Sequence, residues 1–391
     1  MKTAVLGFGT VGAGIYEMLQ RAEGLEAGPV YVRKGKADTP WKTDDFDQIL
    51  ADPSVEAVAE AMGGLDPAFS LAERTLASGK HFVTANKMLV AEYGVRLQEI
   101  AERSCAAFLF SAACGGGVPL LHNLALARQA DEIVSVQGIL NGTTNYMLDQ
   151  MQSAPGGSYE SALHKAQSLG YAEADPTADV SGLDALRKIR LAAAVAFGLL
   201  PADGFSEGIE NVTAEDIRFY QSGGLILRLI AKTARTEEGV SAYVEPVLFG
   251  KDAPEAAVRK NYNLASYEGR ASGLISFQGQ GAGRYPTASA VIRDLESIRC
   301  GARRMFPEGT ANGSADSPGS CSRYFVRTEK AFAALFPRAE RLAEENNCVR
   351  LKTAPFFAKT MHSLVQTIRE EGGRVMFAAL DPLAEPEDYS C

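Results

Sequence analysis

Short apolar runs alternate with helix-period stretches over the first 125 residues. Thr3–Leu6 is an apolar run that ends in glycine, and Ile15–Arg21 carries the spacing of a helix. Val30–Val32 and Val55–Ala59 read as further strands, and Pro67–Ser78 reads as a helix. A strand at His81–Thr84, a helix at Val95–Ser104 and a strand at Ala107–Phe110 complete this part. Strand–helix alternation at such spacing predicts an α/β fold with a parallel, doubly wound sheet.

The pattern changes from about residue 126 to 300. Val134–Leu140 reads as a strand, followed by a polar loop, Asn141-Gly142-Thr143-Thr144-Asn145. Helical stretches are predicted over 158–169 and 182–198, and strands over Val240–Val247 and Ile275–Gln278. This is an α+β pattern. Residues 301–320 are rich in Gly, Pro and Ser from Pro307 to Ser320 and read as a linker or mobile loop. The tail alternates again: a strand at Tyr324–Thr328, a helix running to Asn346, a strand at Val349–Thr353, a helix over 359–371 and a strand at Val375–Leu380. Domains are therefore expected at 1–125, 126–305 and 320–391.

Gly7-Phe8-Gly9-Thr10-Val11-Gly12 sets G-x-G-x-x-G between the first strand and the first helix. Gly7 permits a tight turn, Gly9 lets backbone approach a pyrophosphate, and Gly12 lets helix and strand pack closely. The free N–H groups of the helix N-terminus favour an anion there. The second strand ends in Arg33-Lys34, where an NAD-binding site would carry an acid for the ribose 2′-hydroxyl. Two cations there favour the 2′-phosphate of NADP; a solvated basic turn is the plainer reading.

Charge narrows the partners. Lys and Arg number 39 against 48 Asp and Glu, a net charge of −9, and no segment gathers the basic patch that nucleic acid requires. The six cysteines (105, 114, 300, 321, 348 and 391) form no C-x-x-C and no metal-ligand spacing with the four histidines, so reduced thiols in a cytoplasmic protein are expected. The first strand follows Met1 almost directly, without the pattern of a signal peptide. The most apolar stretch, Ile189–Leu200, holds Arg190 and is too short to span a bilayer.

The segment from Gly170 to Lys188 gathers the acid–base chemistry. Ser181 could cap a helix, with Asp184 at capping-box spacing. Asp184 and Lys188 lie four apart on one helix face, which Leu191 and Val195 continue, and from Leu191 on the helix is apolar nearly all round. Both charged groups should thus point into protein. A buried charge needs a partner or a use, and a lysine beside a carboxylate is a candidate proton donor.

Over about residues 1–300 the chain resembles the homoserine dehydrogenase family. The resemblance rests on Gly7–Gly12, on Val83-Thr84-Ala85-Asn86-Lys87, and on Cys114-Gly115-Gly116-Gly117-Val118-Pro119. It extends to Gly138-Ile139-Leu140-Asn141-Gly142-Thr143-Thr144-Asn145, to the 170–188 segment, and to Gly281-Ala282-Gly283 followed by Pro286-Thr287-Ala288-Ser289-Ala290. It implies a Rossmann-type NADP-binding domain, an α+β substrate and dimerisation domain, and a homodimer or higher homo-oligomer. It implies that Lys188 exchanges a proton with the substrate oxygen and that Asp184 orients that lysine and binds the substrate's amino end. Glu173 and Asp179 would also bind substrate, and Lys87 would stand near nicotinamide and substrate. Gly63, Gly64 and Gly281 join Gly7, Phe8, Gly9, Thr10, Val11, Gly12, Arg33 and Lys34 as cofactor contacts. In the family a glutamate helps to hold a monovalent cation such as sodium; Ser111 stands there, leaving the backbone carbonyls of Cys114, Gly116 and Val118. The tail resembles an ACT-like βαββαβ unit in element order, which makes threonine feedback a hypothesis, although the usual acidic residue and Pro-Gly-Val-Leu after its first strand are missing. Aspartate-semialdehyde dehydrogenase is the rival, with Cys114 as nucleophile; an inactive NADP sensor is another.

Overall fold

Thr3 to Leu6 are four consecutive buried residues, the pattern of a strand covered on both faces. In the computed structural model, which describes residues 1–153 and 157–384, this run is β1 (Lys2–Leu6). With β2 (Glu26–Tyr31), β3 (Lys42–Thr43), β4 (Val55–Glu60), β5 (His81–Thr84) and β6 (Phe108–Leu109) it forms a six-stranded parallel sheet, ordered β3-β2-β1-β4-β5-β6. Helices α1 (Thr10–Leu19), α2 (Phe46–Ala51), α3 (Ala68–Ala77) and α4 (Lys87–Arg103) make the crossovers. The strand order reverses at β1, and such a switch point opens a crevice beyond the strand ends. Helix α4 begins well before the expected Val95, because the Asn86 side chain caps it by accepting from Leu89 N.

The second sheet is larger. Its strands are β7 (Ile133–Ile139), β9 (Phe205–Ser206), β10 (Leu225–Thr236), β11 (Gly239–Val240), β12 (Tyr243–Gly250), β13 (Tyr262–Gly269), β14 (Gly273–Gln280), β17 (Tyr324–Glu329), β18 (Glu340–Glu345), β19 (Cys348–Lys352) and β21 (Val375–Leu380). The main path runs β14-β13-β7-β10-β12-β21-β17-β19-β18. Two small pairs stand apart, β8 (Leu199–Pro201) with β15 (Ala311–Gly313) and β16 (Cys321–Ser322) with β20 (Phe356–Phe357). The helices of this part of the chain are α5 (Leu120–Ala127), α6 (Gly142–Ser153), α7 (Tyr159–Ser168), α8 (Thr177–Val180), α9 (Leu183–Phe197), α10 (Ala214–Ser222), α11 (Arg284–Arg299) and α12 (Ala358–Glu370).

Several expectations are corrected. The polar run after β7 is not a loop: Gly142 to Asn145 form the first turn of α6, because Asn141 Oδ1 accepts from Thr144 N and caps the helix. Residues 301–320 are no loose linker. Phe306 is fully buried against Phe110, and Ala311–Gly313 pairs in parallel with Leu199–Pro201. The helix expected to reach Asn346 is instead a short 3-10 turn, Lys330–Leu335, and the strand β18. Pro337 cannot continue a helix, and Asn346, with φ +51°, turns the chain into the β18–β19 hairpin. The long strand β10 was not legible, because Arg228 interrupts its apolar run. That side chain is fully buried and spends its donors on the carbonyls of Leu227, Glu255, Ala256 and Val258. Among the cysteines, Cys105, Cys114, Cys300 and Cys348 form no disulfide but Cys321 is disulfide-bonded, so the thiols are not all reduced; Cys391 lies outside the described residues.

Two compact units divide the chain, and they interleave where the pattern predicts three consecutive domains. One takes Met1–Val134, Arg190–Pro201 and Ala265–Gly313; the other takes Ser135–Ile189, Ala202–Leu264 and the chain from Ser314 on. In the first unit α11 packs on α1, which Gly14 permits: a Cβ there would stand 2.8 Å from Arg284 Cγ and 3.0 Å from its carbonyl oxygen. In the second unit the tail strands are ordered β21-β17-β19-β18, every neighbour antiparallel. Strand β21 also pairs in parallel with β12, at Val247 with Ala379 and Leu248 with Leu380. The tail is thus built into the second unit's sheet. Tyr324, Val326, Val349, Leu351, Met361 and Phe377 share one core with Ile139, Ile230, Val247 and Phe249.

Ending the chain near residue 320 therefore removes half a core. The truncated protein is expected to be insoluble or to lose its cooperative thermal transition in circular dichroism, since burial of each large apolar side chain contributes about 1.5–3 kcal/mol. A soluble fragment with a sharp melt would contradict the shared core.

Candidate functional site

The second unit gathers four polar side chains around the end of β7. Asn141 presents Nδ2 to two carboxylates, donating to Asp179 Oδ1 at 2.7 Å and to Asp184 Oδ2 at 2.9 Å. Its amide orientation is set by the cap bond to Thr144 N at 2.9 Å. One turn after Asp184 on α9, Lys188 places Nζ 2.7 Å from Asp184 Oδ2 and donates to Leu140 O at 2.7 Å. The side chains of Lys188 and Asp184 are only 12% and 8% exposed, so both point into protein as their helix face predicts. Burial pushes the Asp179 carboxyl up, and the Asp184 charge adds to this, against the pull of the Asn141 hydrogen bond and Lys188.

The rest of the 141–145 segment fixes this geometry. A Cβ at Gly142 would meet Asn261 O at 2.8 Å, so α6 can approach only with glycine there. Thr143 Oγ1 donates to Tyr171 O at 2.5 Å, and the Tyr146 and Tyr171 rings meet edge-on at 5.1 Å, tying the 170–176 loop to α6. Asn145 Nδ2 donates to Lys260 O and Tyr262 O. Glu173 lies exposed on that loop, and no hydrogen bond or ion pair among the described residues joins its side chain to the cluster. Ser181 Oγ donates to Thr177 O. Asn141 is the member that sequence reasoning passed over. Its signal was there: an asparagine at the end of a strand, three residues before Thr144, is a helix cap.

The first unit holds the glycine turns. Gly7 has φ +91° and donates its N–H to Tyr31 O at 3.0 Å. A Cβ at Gly12 would stand 2.0 Å from Gly7 O, so no other residue fits. Gly9, at the N-cap of α1, faces open space, and Thr10 beside it is exposed, with Val11 half-buried. Phe8 is exposed and packs on Trp41 at 5.1 Å. Arg33 and Lys34 are exposed after β2, in a turn closed by Lys36 N to Arg33 O and by Gly35 N to Asp44 Oδ2. Gly63 and Gly64 have φ +75° and +72° with nothing near a built Cβ, and Asn86 Nδ2 donates to Gly64 O at 2.6 Å. Lys87 follows as the first residue of α4. These turns leave backbone facing open space, the cradle that a dinucleotide fits.

The loop Cys114–Val118 lies in the same unit. A Cβ at Gly116 would meet Gly281 O at 2.5 Å, so the two glycines touch. Cys114 is fully buried, and Val118 O accepts from Leu120 N. Ser111 donates N–H and Oγ to the buried Asp294 at 2.7 and 2.5 Å. Among the described residues no group of three or more His, Cys, Asp or Glu could hold a metal ion.

Burial pushes the Asp294 carboxyl up to about 7. Its folded value lies above the unfolded one, so the neutral form favours the fold, and stability falls as pH rises from about 4 through about 7. Asp294→Asn removes this titration and leaves an acceptor for Ser111. The variant's stability relative to the parent is expected to rise between pH 5 and pH 8 in urea melts, by no more than about 4 kcal/mol. Parallel curves at both pH values would refute it.

Comparison with known proteins locates this arrangement. Residues 7–111 match the family "Homoserine dehydrogenase, NAD binding domain", and residues 119–295 match "Homoserine dehydrogenase". The chain is 40% identical over 319 residues to the homoserine dehydrogenase of Synechocystis sp., covering 76% of this chain and 73% of that one. It is 38% identical over 334 residues to that of Corynebacterium glutamicum, covering 80% and 74%. Among solved structures, a homoserine dehydrogenase from Thiobacillus denitrificans aligns over 97% of this chain and 98% of its own, with a TM-score of 0.84 and 30% identity.

Proposed function

The chain belongs to the homoserine dehydrogenase family, and from that premise we propose which of its residues carry the reaction. The activity is the reversible NAD(P)-dependent interconversion of L-homoserine and L-aspartate 4-semialdehyde, a step of amino-acid biosynthesis. The observation that carries the residue assignment is Lys188 Nζ held between Asp184 Oδ2 and Leu140 O.

The cofactor, when bound, supplies the hydride that reaches the aldehyde carbon. Lys188 meets the charge that grows on the aldehyde oxygen and gives it a proton; in the reverse direction it takes the proton back. Asp184 orients the ammonium, and Leu140 O fixes its position. Asp184 and Asp179, cross-linked by Asn141, offer carboxylates to the substrate's ammonium group. Glu173 adds a third from the exposed loop. Residues 1–125 hold the dinucleotide through Gly7–Gly12, Gly63, Gly64 and Lys87, with Gly281 contributing from the 126–305 region. Exposed Arg33 and Lys34 favour the 2′-phosphate of NADP.

Sodium binding by the carbonyls of Cys114, Gly116 and Val118 rests on family resemblance, and Ser111 gives it no carboxylate. The tail's βαββαβ succession, its first helix reduced to a 3-10 turn, supports an ACT-like reading. A cytoplasmic homodimer is the assembly we propose; no helix among the described residues is long and apolar enough to cross a membrane. The thioester chemistry of aspartate-semialdehyde dehydrogenase needs an accessible cysteine, and Cys114 is fully buried.

In an assay of NADPH oxidation with aspartate 4-semialdehyde, Lys188→Ala is expected to lower kcat by about 10²–10⁴-fold. An inert parent enzyme, or a fully active variant, would sink the assignment. Replacing Arg33 and Lys34 by Ala should raise the KM for NADPH roughly ten- to a hundredfold, the worth of a charge-assisted hydrogen bond, and leave NADH kinetics unchanged. Equal effects on both cofactors would remove the 2′-phosphate reading.

A further inference from the structure

Glu60 ends β4 in the first unit and is fully buried. Among the described residues no cation pairs with it. A buried carboxylate in such a place is costly unless hydrogen-bond donors surround it, and here they come from two loops. Oε1 accepts from Met62 N at 2.6 Å and Gly63 N at 3.1 Å. Oε2 accepts from Thr84 Oγ1 at 2.5 Å, and Thr84 is the residue that faces Glu60 across the β4–β5 ladder. Thr84 Oγ1 in turn accepts from Asn86 N at 2.9 Å, and Asn86 Nδ2 donates to Gly64 O at 2.6 Å. The bonds close a ring: Glu60, the 62–64 backbone, Asn86, Thr84 and back to Glu60.

Both loops leave the same end of adjacent parallel strands, where ligands of such sheets bind. One loop ends in Gly63 and Gly64, both left-handed and facing open space; the other leads into Lys87 at the start of α4. We propose that Glu60 is a positioning residue for the cofactor, its carboxylate locking the 61–64 and 84–87 loops to each other so that they meet the dinucleotide already in shape. The proposal rests on reading Gly63, Gly64 and Lys87 as cofactor contacts. Physically, the ring takes the ordering cost of two loops out of the binding step.

Two substitutions remove the charge-assisted Thr84–Glu60 hydrogen bond from opposite ends. Glu60→Gln keeps an oxygen for the Met62 and Gly63 N–H groups but turns an NH2 toward Thr84 Oγ1. Thr84→Val keeps the volume and removes the hydroxyl. The readouts are NADPH dissociation, followed through the chain's single tryptophan, Trp41, which stacks on Tyr16 beside the phosphate turn, together with separate KM values and a thermal melt. Each variant is expected to weaken NADPH binding about tenfold, the worth of one strong hydrogen bond to a charged group. The KM for homoserine should stay unchanged, and the double variant should be no worse than either single one. Should Glu60→Gln fail to fold, Thr84→Val carries the test. NADPH binding equal to the parent's in the folded variants, or losses that simply add, would overturn the proposal. Gly63→Val separates the two failures. If it abolishes NADPH binding while the ring variants do not, only the lock is wrong; if it too binds normally, the assignment of this loop to the cofactor falls, and the proposal with it.

Discussion

A lysine ammonium held between a carboxylate and a strand-end carbonyl is the contact around which the second unit is arranged. Lys188 and Asp184 are nearly excluded from water. Removing one member of such a pair costs about 3–5 kcal/mol because it strands the other. The pair therefore needs its surroundings fixed, and the sequence supplies this with one residue. Asn141 caps α6 with its oxygen and holds Asp179 and Asp184 together with its nitrogen. Strand β7 stops where it does so that the next two residues, Leu140 and Asn141, can give a carbonyl and an amide to the same cluster.

The tail is tied to the chain that packs beside that cluster. Glu207 forms a two-point ion pair with Arg369 of α12, at 2.7 and 2.8 Å. The chain around Glu207 lies against the turn that precedes α9. Ile209 N donates to Val180 O, and glycines at 182 and 208 permit the approach: a Cβ at Gly208 would stand 1.9 Å from Val180 O. Strand β21 runs beside β12 in the same sheet. Whatever else the tail does, its packing contributes to the fold of the second unit, which holds the Lys188–Asp184 pair.

Two kinds of arrangement stand out, glycine turns built on backbone and a cluster of polar side chains, and each is assembled within its own compact unit. The glycine turns are made of backbone, with Gly7, Gly9, Gly12, Gly63 and Gly64 providing left-handed angles, close approach or open space. The polar cluster is made of side chains cross-linked by hydrogen bonds. Glu60 and Asn141 play matching parts, each a buried polar group at a strand end that ties two segments together.

Much of this was determined by the sequence alone. The parallel sheet, the glycine turn after the first strand and the shared face of Asp184 and Lys188 follow from local spacing, because backbone angles and helix periodicity act over a few residues; the family is legible only as a resemblance of motifs. What required the tertiary structure is long-range. Asn141 reads locally as at most a helix cap, and its link to Asp179 and Asp184, some forty residues on, exists only once the fold brings them within reach of its amide. Arg228 reads as a break in a strand until four carbonyls gather round it. The 301–320 segment reads as a linker until β15 finds β8, and the tail reads as a separate domain until β21 pairs with β12. Hydrogen-bond partners and strand neighbours distant along the chain leave no periodic trace in it, so only the folded chain decides them.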